Sequence, residues 1–117
     1  MNEPFLIDNL KFDLRIYVLL TGVNPLRIYI FADGLVRFAT TPYQPAKKDN
    51  LGDLFMHLTN YAINKKSKDY VRDNNNPTTG FSNANEKQFA DESAHKRSLK
   101  SLYCLLTKMG YDVYNLQ

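Results

Sequence analysis

An alternating run near the N-terminus constrains the fold most strongly. Every second residue from Phe12 to Leu20 is apolar, and Lys11, Asp13 and Arg15 alternate with them. Successive side chains point to opposite faces of a β-strand, so the run is predicted to be a strand with one apolar and one charged face. A chain of 117 residues can bury only one modest core, and this apolar face must be covered by it or by a partner.

Two further strand-like runs follow at short intervals. LRIYIF (26–31) comes after the turn-forming segment 21–25, and LVRFAT (35–40) comes after Asp33-Gly34, a dipeptide typical of tight hairpin turns. Three strands joined by short turns predict an antiparallel meander in which Arg37 shares a side with the charges of the first strand.

The C-terminal part carries a helix pattern. Apolar residues recur every three or four positions from Leu99 to Met109, which predicts an amphipathic helix. Asp91 or Ser93 is the expected cap, and Gly110 is the expected left-handed residue at the end. The predicted fold class is therefore α+β, a thin sheet with one helix.

Two other segments lack a clear period. MHLTNYAINKK (56–66) is predicted to be a short strand or extended stretch that leads into a turn. Residues 69–90 are rich in Asn, Thr and Ser and have almost nothing to bury, so they are predicted to form a flexible, disordered polar insertion.

Composition and motifs exclude several classes of protein. The net charge of +3 suits an anionic partner but does not choose among nucleotide, nucleic acid and acidic peptide. No apolar run is long enough to span a membrane, the N-terminus does not resemble a signal peptide, and the single Cys104 fits a reducing compartment, which together predict an intracellular protein. Phosphate-loop, GxGxxG, HExxH and GxSxG motifs are all lacking.

Three polar clusters are candidate sites, and residue type alone leaves each open. The charged strand face with Arg37 could bind phosphate oxygens, but an exposed face with weak salt bridges is favoured. Thr59, Asn60 and Tyr61 could orient a ligand, but a turn bonded to its own backbone is favoured. The basic run His95–Arg97, at the predicted helix start, is either a solvated helix face or a site for an acidic ligand.

In their order and separation, PFLIDNLKFDLRIYVLLTGVNPLRIYIF, GLVRFAT and MHLTNYAINK resemble the tubulin-tyrosine ligase-like family, whose catalytic domain is of the ATP-grasp type. INK after HLTNY is most similar to the polyglutamylase branch. The resemblance implies that residues 1–117 are a partial, central piece of such a domain, with 69–90 an insertion in it. The implied activity is an ATP-dependent ligase that joins glutamate to glutamate side chains of tubulin tails through an acyl phosphate.

The resemblance also implies cofactors, partners and location. ATP and Mg are the implied cofactors, with the magnesium ligands expected outside this chain, so the chain alone is expected to be inactive. The implied partners are free glutamate and the acidic tails of tubulin or microtubules, with no nucleic acid and no membrane. The implied location is the cytoplasm, on the microtubule cytoskeleton, including the cilium or basal body. The alternatives are a ligase for another amino acid or another protein, and a non-catalytic module that binds nucleotide or acidic tails.

Position by position, the resemblance assigns five residues to the nucleotide. Lys11, Phe12 and Asp13 match the strand that contacts ATP, and Thr59 and Asn60 match residues that line the same pocket.

The remaining assignments concern the substrate and the reacting groups. Arg37 matches an arginine that binds the carboxylate of the amino acid, a task suited to a planar guanidinium, and Arg15 is assigned to the phosphates, so these two are the candidate catalytic residues. Tyr61, Ala62 and Lys96 are, with Arg37, the residues assigned to binding the substrate. Ala62 stands where glutamylases commonly have a serine, which leaves the added amino acid open. No metal ligand is assigned.

Overall fold

A computed structural model of the chain describes residues 3–72 and 94–113, and within them the fold is α+β. An antiparallel four-stranded sheet has the strand order β1-β2-β3-β4. The strands are β1 (Leu6–Ile7), β2 (Leu10–Val23), β3 (Leu26–Phe38) and β4 (Lys96–Ser98), and the helices are α1 (Leu54–His57), α2 (Tyr61–Asn64) and α3 (Leu99–Lys108).

The long hairpin of β2 and β3 confirms the predicted first strand and the turn after it. The predicted hairpin turn at Asp33-Gly34 is wrong, because β3 runs through both residues. Gly34 pairs with Ile16, and a Cβ on Gly34 would lie 2.5 Å from the carbonyl oxygen of Arg15. Residues 31–33 of β3 lie opposite a single residue of β2, which is a bulge. The glycine is therefore required by a close approach of the two strands rather than by a turn.

Asp33 has a second task that replaces the predicted turn. Its Oδ1 accepts hydrogen bonds from the backbone N–H of Gly34 at 2.7 Å and from that of Leu99 at 3.0 Å. One carboxylate oxygen thus joins the bulge of β3 to the first turn of α3, whose N–H groups have no partner within the helix. The sheet is two long strands flanked by two short ones, instead of a meander of three.

Helix α3 confirms the predicted amphipathic helix, but its start differs. The hydroxyl of Ser98 caps it by accepting from the N–H of Ser101 at 3.2 Å. The expected caps Asp91 and Ser93 lie outside the described residues. Gly110 follows the helix with φ +86°, the left-handed conformation that was expected there.

The core lies between α3 and one face of the sheet. Leucines of α3 pack on alternate residues of β3, and Phe12 of β2 packs against the edge of the cluster. The buried members are Ile7, Val36, Phe38, Leu99, Leu102, Leu106 and Val113. The other face of the sheet therefore carries the charged residues, as the alternation predicted.

The distal part of the β2–β3 hairpin, residues 16–31, is termed the arm. Its apolar side chains are exposed, including Val18 at 59%, Leu19 at 61%, Ile30 at 69% and Phe31 at 65%. This confirms the prediction of an exposed apolar strand face, since the residues that the structure describes do not cover it. Among the described residues, no helix has the length and apolarity needed to cross a membrane.

The segment 56–66 is partly extended, as predicted, but mostly helical. Asp53 caps α1 by accepting from the N–H groups of Phe55 and Met56, a signal that the sequence interpretation missed. Leu58 is extended between α1 and α2. Most of the predicted insertion 69–90 lies outside the described residues.

Candidate functional site

Strand register places three charged side chains in a row across the sheet. Arg37 of β3 pairs with Asp13 of β2 on one side and with Lys96 of β4 on the other. Lys11 and Arg15 lie two residues to either side of Asp13, so all five share one surface, termed the charged face. It contains four cations and one carboxylate, which leaves it positively charged.

Asp13 and Arg37 form a two-pronged ion pair. The Nε of Arg37 donates to Oδ1 of Asp13 at 2.8 Å, and its Nη2 donates to Oδ2. The Arg37 side chain is 19% exposed and that of Asp13 is 38% exposed. The hydrogen bond with Asp13 raises the pKa of Arg37 above its ordinary value, although partial burial opposes the shift. The salt-bridged alternative left open by the sequence therefore holds for this pair, whereas Lys11, Arg15 and Lys96 remain as additional positive charges.

Lys11 connects the charged face to the HLTNY segment. Its ammonium donates to the backbone carbonyl of His57 at 2.9 Å, across 46 residues of sequence. The last residue of α1 is thereby held against β2. The two motifs that carried the family resemblance are in direct contact.

Tyr61 makes a second connection from the other side. The ammonium of Lys96 lies 5.9 Å from the centre of the Tyr61 ring, and that of Lys65 lies 5.4 Å from it. The Tyr61 ring also meets Tyr70 edge to face, with centroids 5.9 Å apart. Cations near an aromatic face are attracted by its quadrupole, so Tyr61 contacts Lys96 of the charged face and also Lys65.

The basic run His95–Arg97 was expected to lie at the start of the helix, and its interpretation as a solvated helix face is wrong, because His95 precedes β4 and Lys96 and Arg97 belong to it. Alternation along the strand separates its members. Arg97 is buried on the core side, 4.3 Å from the centre of the Phe38 ring, and its Nε donates to the carbonyl of Ala94 at 2.6 Å. Only Lys96 of the run points to the charged face.

His95 is mostly buried, and it holds a neighbouring segment. Its Nδ1 accepts from the N–H of Val71 at 3.0 Å, and its ring stacks on Tyr70 with centroids 5.6 Å apart. Burial lowers the pKa of His95 below its ordinary value of 6.5, so the imidazole is neutral near pH 7. Burial also raises the pKa of Tyr70.

The other predicted site residues divide between this surface and the rest of the fold. Thr59 is buried, Asn60 and Ala62 are exposed beside Tyr61, and the Asn60 side chain makes no capping bond to α2. Phe12 lies on the opposite face of the sheet, its ring 5.5 Å from that of Phe38, so its side chain is apart from the other predicted ATP contacts.

Sequence reasoning missed the residue that anchors this loop. Asn64, the last residue of α2, is completely buried and bonds to Thr40 just beyond β3. Asparagine is a poor helix former, so an asparagine beside the apolar Ile63 was the available sign that its side chain is used for a specific bond.

A metal site is not built from these residues. Within 3–72 and 94–113, no three His, Cys, Asp or Glu side chains are grouped so that they could hold a metal ion. Asp13, the carboxylate of the charged face, is already bonded to Arg37.

The fold is α+β, with a cationic surface on one face of the sheet and a polar loop held against it. The model of the tubulin-tyrosine ligase family matches residues 1–109, and the chain belongs to this family. The resemblance inferred from KFDLR and HLTNYAINK is confirmed.

Its relatives carry glutamylase names. The chain is 50% identical over 116 residues to a probable beta-tubulin polyglutamylase of Tetrahymena thermophila, covering 99% of this chain and 9% of that protein. It is 55% identical over 116 residues to the mouse tubulin polyglutamylase TTLL13, covering 99% and 12%. It is 46% identical over 112 residues to the human tubulin monoglutamylase TTLL4, covering 96% and 8%. The chain thus spans only about a tenth of the length of these relatives.

Proposed function

We propose that the chain is part of the catalytic domain of an ATP-dependent ligase that joins glutamate to glutamate side chains in the acidic tails of tubulin. The observation that supports this most directly is the contact between KFDLR and HLTNY, through the ammonium of Lys11 and the carbonyl of His57. That contact holds the HLTNY segment against the strand that carries Lys11, Asp13 and Arg15, which supports a shared site for these residues, although the side chain of Phe12 lies on the opposite face. The glutamylase names of the relatives support the choice of glutamate and tubulin.

The nucleotide is assigned to the Lys11 end of the charged face. The ammonium of Lys11 and the exposed guanidinium of Arg15 suit phosphate oxygens, because charge-assisted hydrogen bonds to anions are the strong ones. Thr59 and Asn60, held nearby by the His57 contact, are the polar groups proposed for the rest of the nucleotide.

Arg37 is assigned to the carboxylate of free glutamate. A guanidinium has five N–H donors, and Asp13 takes two of them, one on Nε and one on Nη2. Three donors remain for a second carboxylate. Asp13 fixes the plane of the guanidinium, so that the remaining donors are held in one direction.

In the proposed reaction the acceptor carboxylate takes the γ-phosphoryl group of ATP as ADP leaves, and the amine of glutamate then attacks the carbonyl carbon, loses a proton and displaces phosphate. Fixed cations stabilise the negative charge that develops in both steps, which is the contribution proposed for Arg15 and Lys96. The described residues do not offer a magnesium site, and no step is assigned to that ion. The proposed location follows the substrate, in the cytoplasm on microtubules.

The test is incorporation of labelled glutamate into tubulin by the full-length protein, with ATP and magnesium. Wild type is expected to label tubulin, and Arg37→Glu is expected to abolish labelling while leaving ATP binding largely intact. The 117-residue chain alone is expected to be silent.

Two outcomes would favour other functions. Labelling with glycine or tyrosine in place of glutamate would indicate a ligase for another amino acid, a question that Ala62 beside Tyr61 raises. If Arg37→Glu weakened microtubule binding and the wild type had no ligase activity, the chain would be a binding module.

A further inference from the structure

Asn64 uses both ends of its side-chain amide, and the residue is 0% exposed. Its Oδ1 accepts from the backbone N–H of Thr40 at 3.1 Å and from the hydroxyl of Thr40 at 3.0 Å. Its Nδ2 donates to the carbonyls of Leu58 at 2.7 Å and Asn60 at 3.2 Å. A buried polar group with this many partners is costly to alter, because each lost bond leaves another buried group without a partner.

The four bonds join the two parts of the candidate site. The carbonyls of Leu58 and Asn60 belong to the residues before and after Thr59, so the amide of Asn64 holds the HLTNY loop on both sides of Thr59. Thr40 belongs to the other part, because it follows directly on Ala39, whose N–H donates to the carbonyl of Lys11 at 2.8 Å.

We infer that Asn64 and Thr40 are positioning residues that set the distance between the HLTNY loop and the charged face. The inference rests on the proposed function for its readout, since it assigns these residues to an ATP-dependent ligase site. Neither side chain needs to touch the substrate. A shift of the loop by a fraction of a bond length would move Thr59 and Asn60 relative to Lys11, and misplacement on that scale lowers enzyme efficiency.

The chemistry of the amide allows near-isosteric variants. Asn64→Asp keeps the shape but removes the two donors and places a carboxylate against two carbonyl oxygens. Thr40→Val keeps the shape and the backbone N–H but removes the hydroxyl bond to Oδ1. Thr40→Ser restores that hydroxyl with one methyl group fewer. Thr21→Val is a matched control, because Thr21 is exposed on β2 within the arm.

The experiment measures KM for ATP, KM for glutamate, kcat and the affinity for a fluorescent ATP analogue, all in the full-length protein. For Thr40→Val we expect KM for ATP and the analogue Kd to rise about fivefold, the size associated with one lost hydrogen bond. Asn64→Asp is expected to raise KM for ATP and the analogue Kd by more than Thr40→Val does. Thr40→Ser and Thr21→Val are expected to stay within about twofold of wild type.

Three results would overturn the inference. The first is an unchanged KM and Kd for ATP in Thr40→Val. The second is a fall in kcat alone, since a smaller folded fraction lowers kcat per total protein without changing KM. The third is a Thr40→Ser variant as impaired as Thr40→Val. If wild type itself transfers no glutamate, the proposed function fails, while the analogue Kd still tests the positioning of the loop.

Discussion

Arg37 is bonded across the sheet to Asp13 and is also the residue proposed to bind the carboxylate of glutamate. The carboxylate of Asp13 occupies one edge of its guanidinium, and the neighbouring strand presents Lys96 on its other side. Ion pairs that are partly exposed contribute little to stability, so the pair matters more for orientation than for holding the sheet. A lysine at position 37 would keep the charge but lose the planar fork.

Arg37→Lys in the full-length protein is therefore expected to raise KM for glutamate by about tenfold or more, because a forked contact to a carboxylate becomes a single one. KM for ATP should change much less. Steady-state kinetics with each substrate varied in turn would measure both. Arg27→Lys, at an exposed position in the arm, is the control and should match wild type. A larger effect on ATP than on glutamate would contradict the assignment of Arg37.

Gly34 gives a prediction about stability. Gly34→Ala places a methyl group 2.5 Å from the carbonyl oxygen of Arg15, so the two strands must separate locally. We expect a loss of roughly 1–3 kcal/mol, as for other over-packed positions. Gly52→Ala meets nothing within 4 Å and should be close to neutral. Thermal unfolding of the two full-length variants compares them, and equal midpoints would show that the strands adapt freely.

Residues of the charged face could be predicted from the sequence where their placement depends only on neighbours in the same strand. The period of two along β2 assigns Lys11, Asp13 and Arg15 to one face without any knowledge of their partners. The partner of Lys11 is a backbone carbonyl 46 residues away, and the partner of Asn64 is 24 residues away. Contacts of this kind depend on how α1 and α2 pack over the sheet, which no local pattern records.

At the scale of elements, His95 links the start of β4 to residues 70–72, which follow α2. The N–H of His95 donates to the carbonyl of Val71 at 3.0 Å, and its Nδ1 accepts from the N–H of the same residue. This pair of bonds holds the residues that follow α2 beside β4. The second bond requires a neutral ring, because a protonated Nδ1 can no longer accept.

Protonation of His95 should therefore release Val71. Burial lowers the pKa of His95 in the folded protein below 6.5, so the unfolded chain takes up the proton first as the pH falls. The backbone hydrogen bond with Val71 and the charge of Asp69 oppose this lowering, and the charge of Arg97 favours it. The stabilisation is complete above about pH 6.5 and decreases as the pH drops below that value, by at most about tenfold in opening equilibrium per pH unit.

Hydrogen exchange of the peptide that contains Val71 would measure this, with rates corrected for the intrinsic effect of pH and compared at pH 7.5 and 5.5. His95→Gln supplies an acceptor that does not titrate and should remove the dependence. Equal protection of Val71 in wild type at both pH values would show that the imidazole is not what holds this segment.

The elements themselves illustrate the same limit of prediction. The alternation of β2 and the leucine spacing of α3 each identify one element from its own residues. Asp33-Gly34 has the chemistry of a turn, yet the close approach to Arg15 and the cap on Leu99 use the same two residues inside a strand. Local propensity cannot tell whether Asp33-Gly34 forms a turn or lies within a strand, because its contacts with Arg15 and Leu99 involve residues distant in sequence.

At the scale of the whole molecule, the arm carries much of the exposed apolar surface among residues 3–72 and 94–113. Exposed apolar strands are prone to association, and this arm is apolar on both faces. Val18 and Ile30 face each other across it.

Replacing both of these residues with threonine should raise the soluble yield of the 117-residue chain and lower its binding of a hydrophobic dye. Threonine retains the preference for strands while reducing the apolar surface. Leu54→Thr, at a half-exposed position outside the arm, should have a smaller effect. Dye fluorescence at equal protein concentration provides the comparison. An equal response at Leu54 would mean that the arm is not the main apolar surface.

The oxygen of Asp33 that joins β3 to α3 also bears on the order in which the elements fold during synthesis. It receives the N–H of Leu99 from 66 residues further along, so synthesis from the N-terminus completes the acceptor long before its donor leaves the ribosome. Domains generally begin to fold from the end that emerges first. We therefore expect the β2–β3 hairpin to form during translation, before the carboxylate of Asp33 has its partner in α3. Helix α3 is then expected to become stable only when it packs on a strand that has already folded.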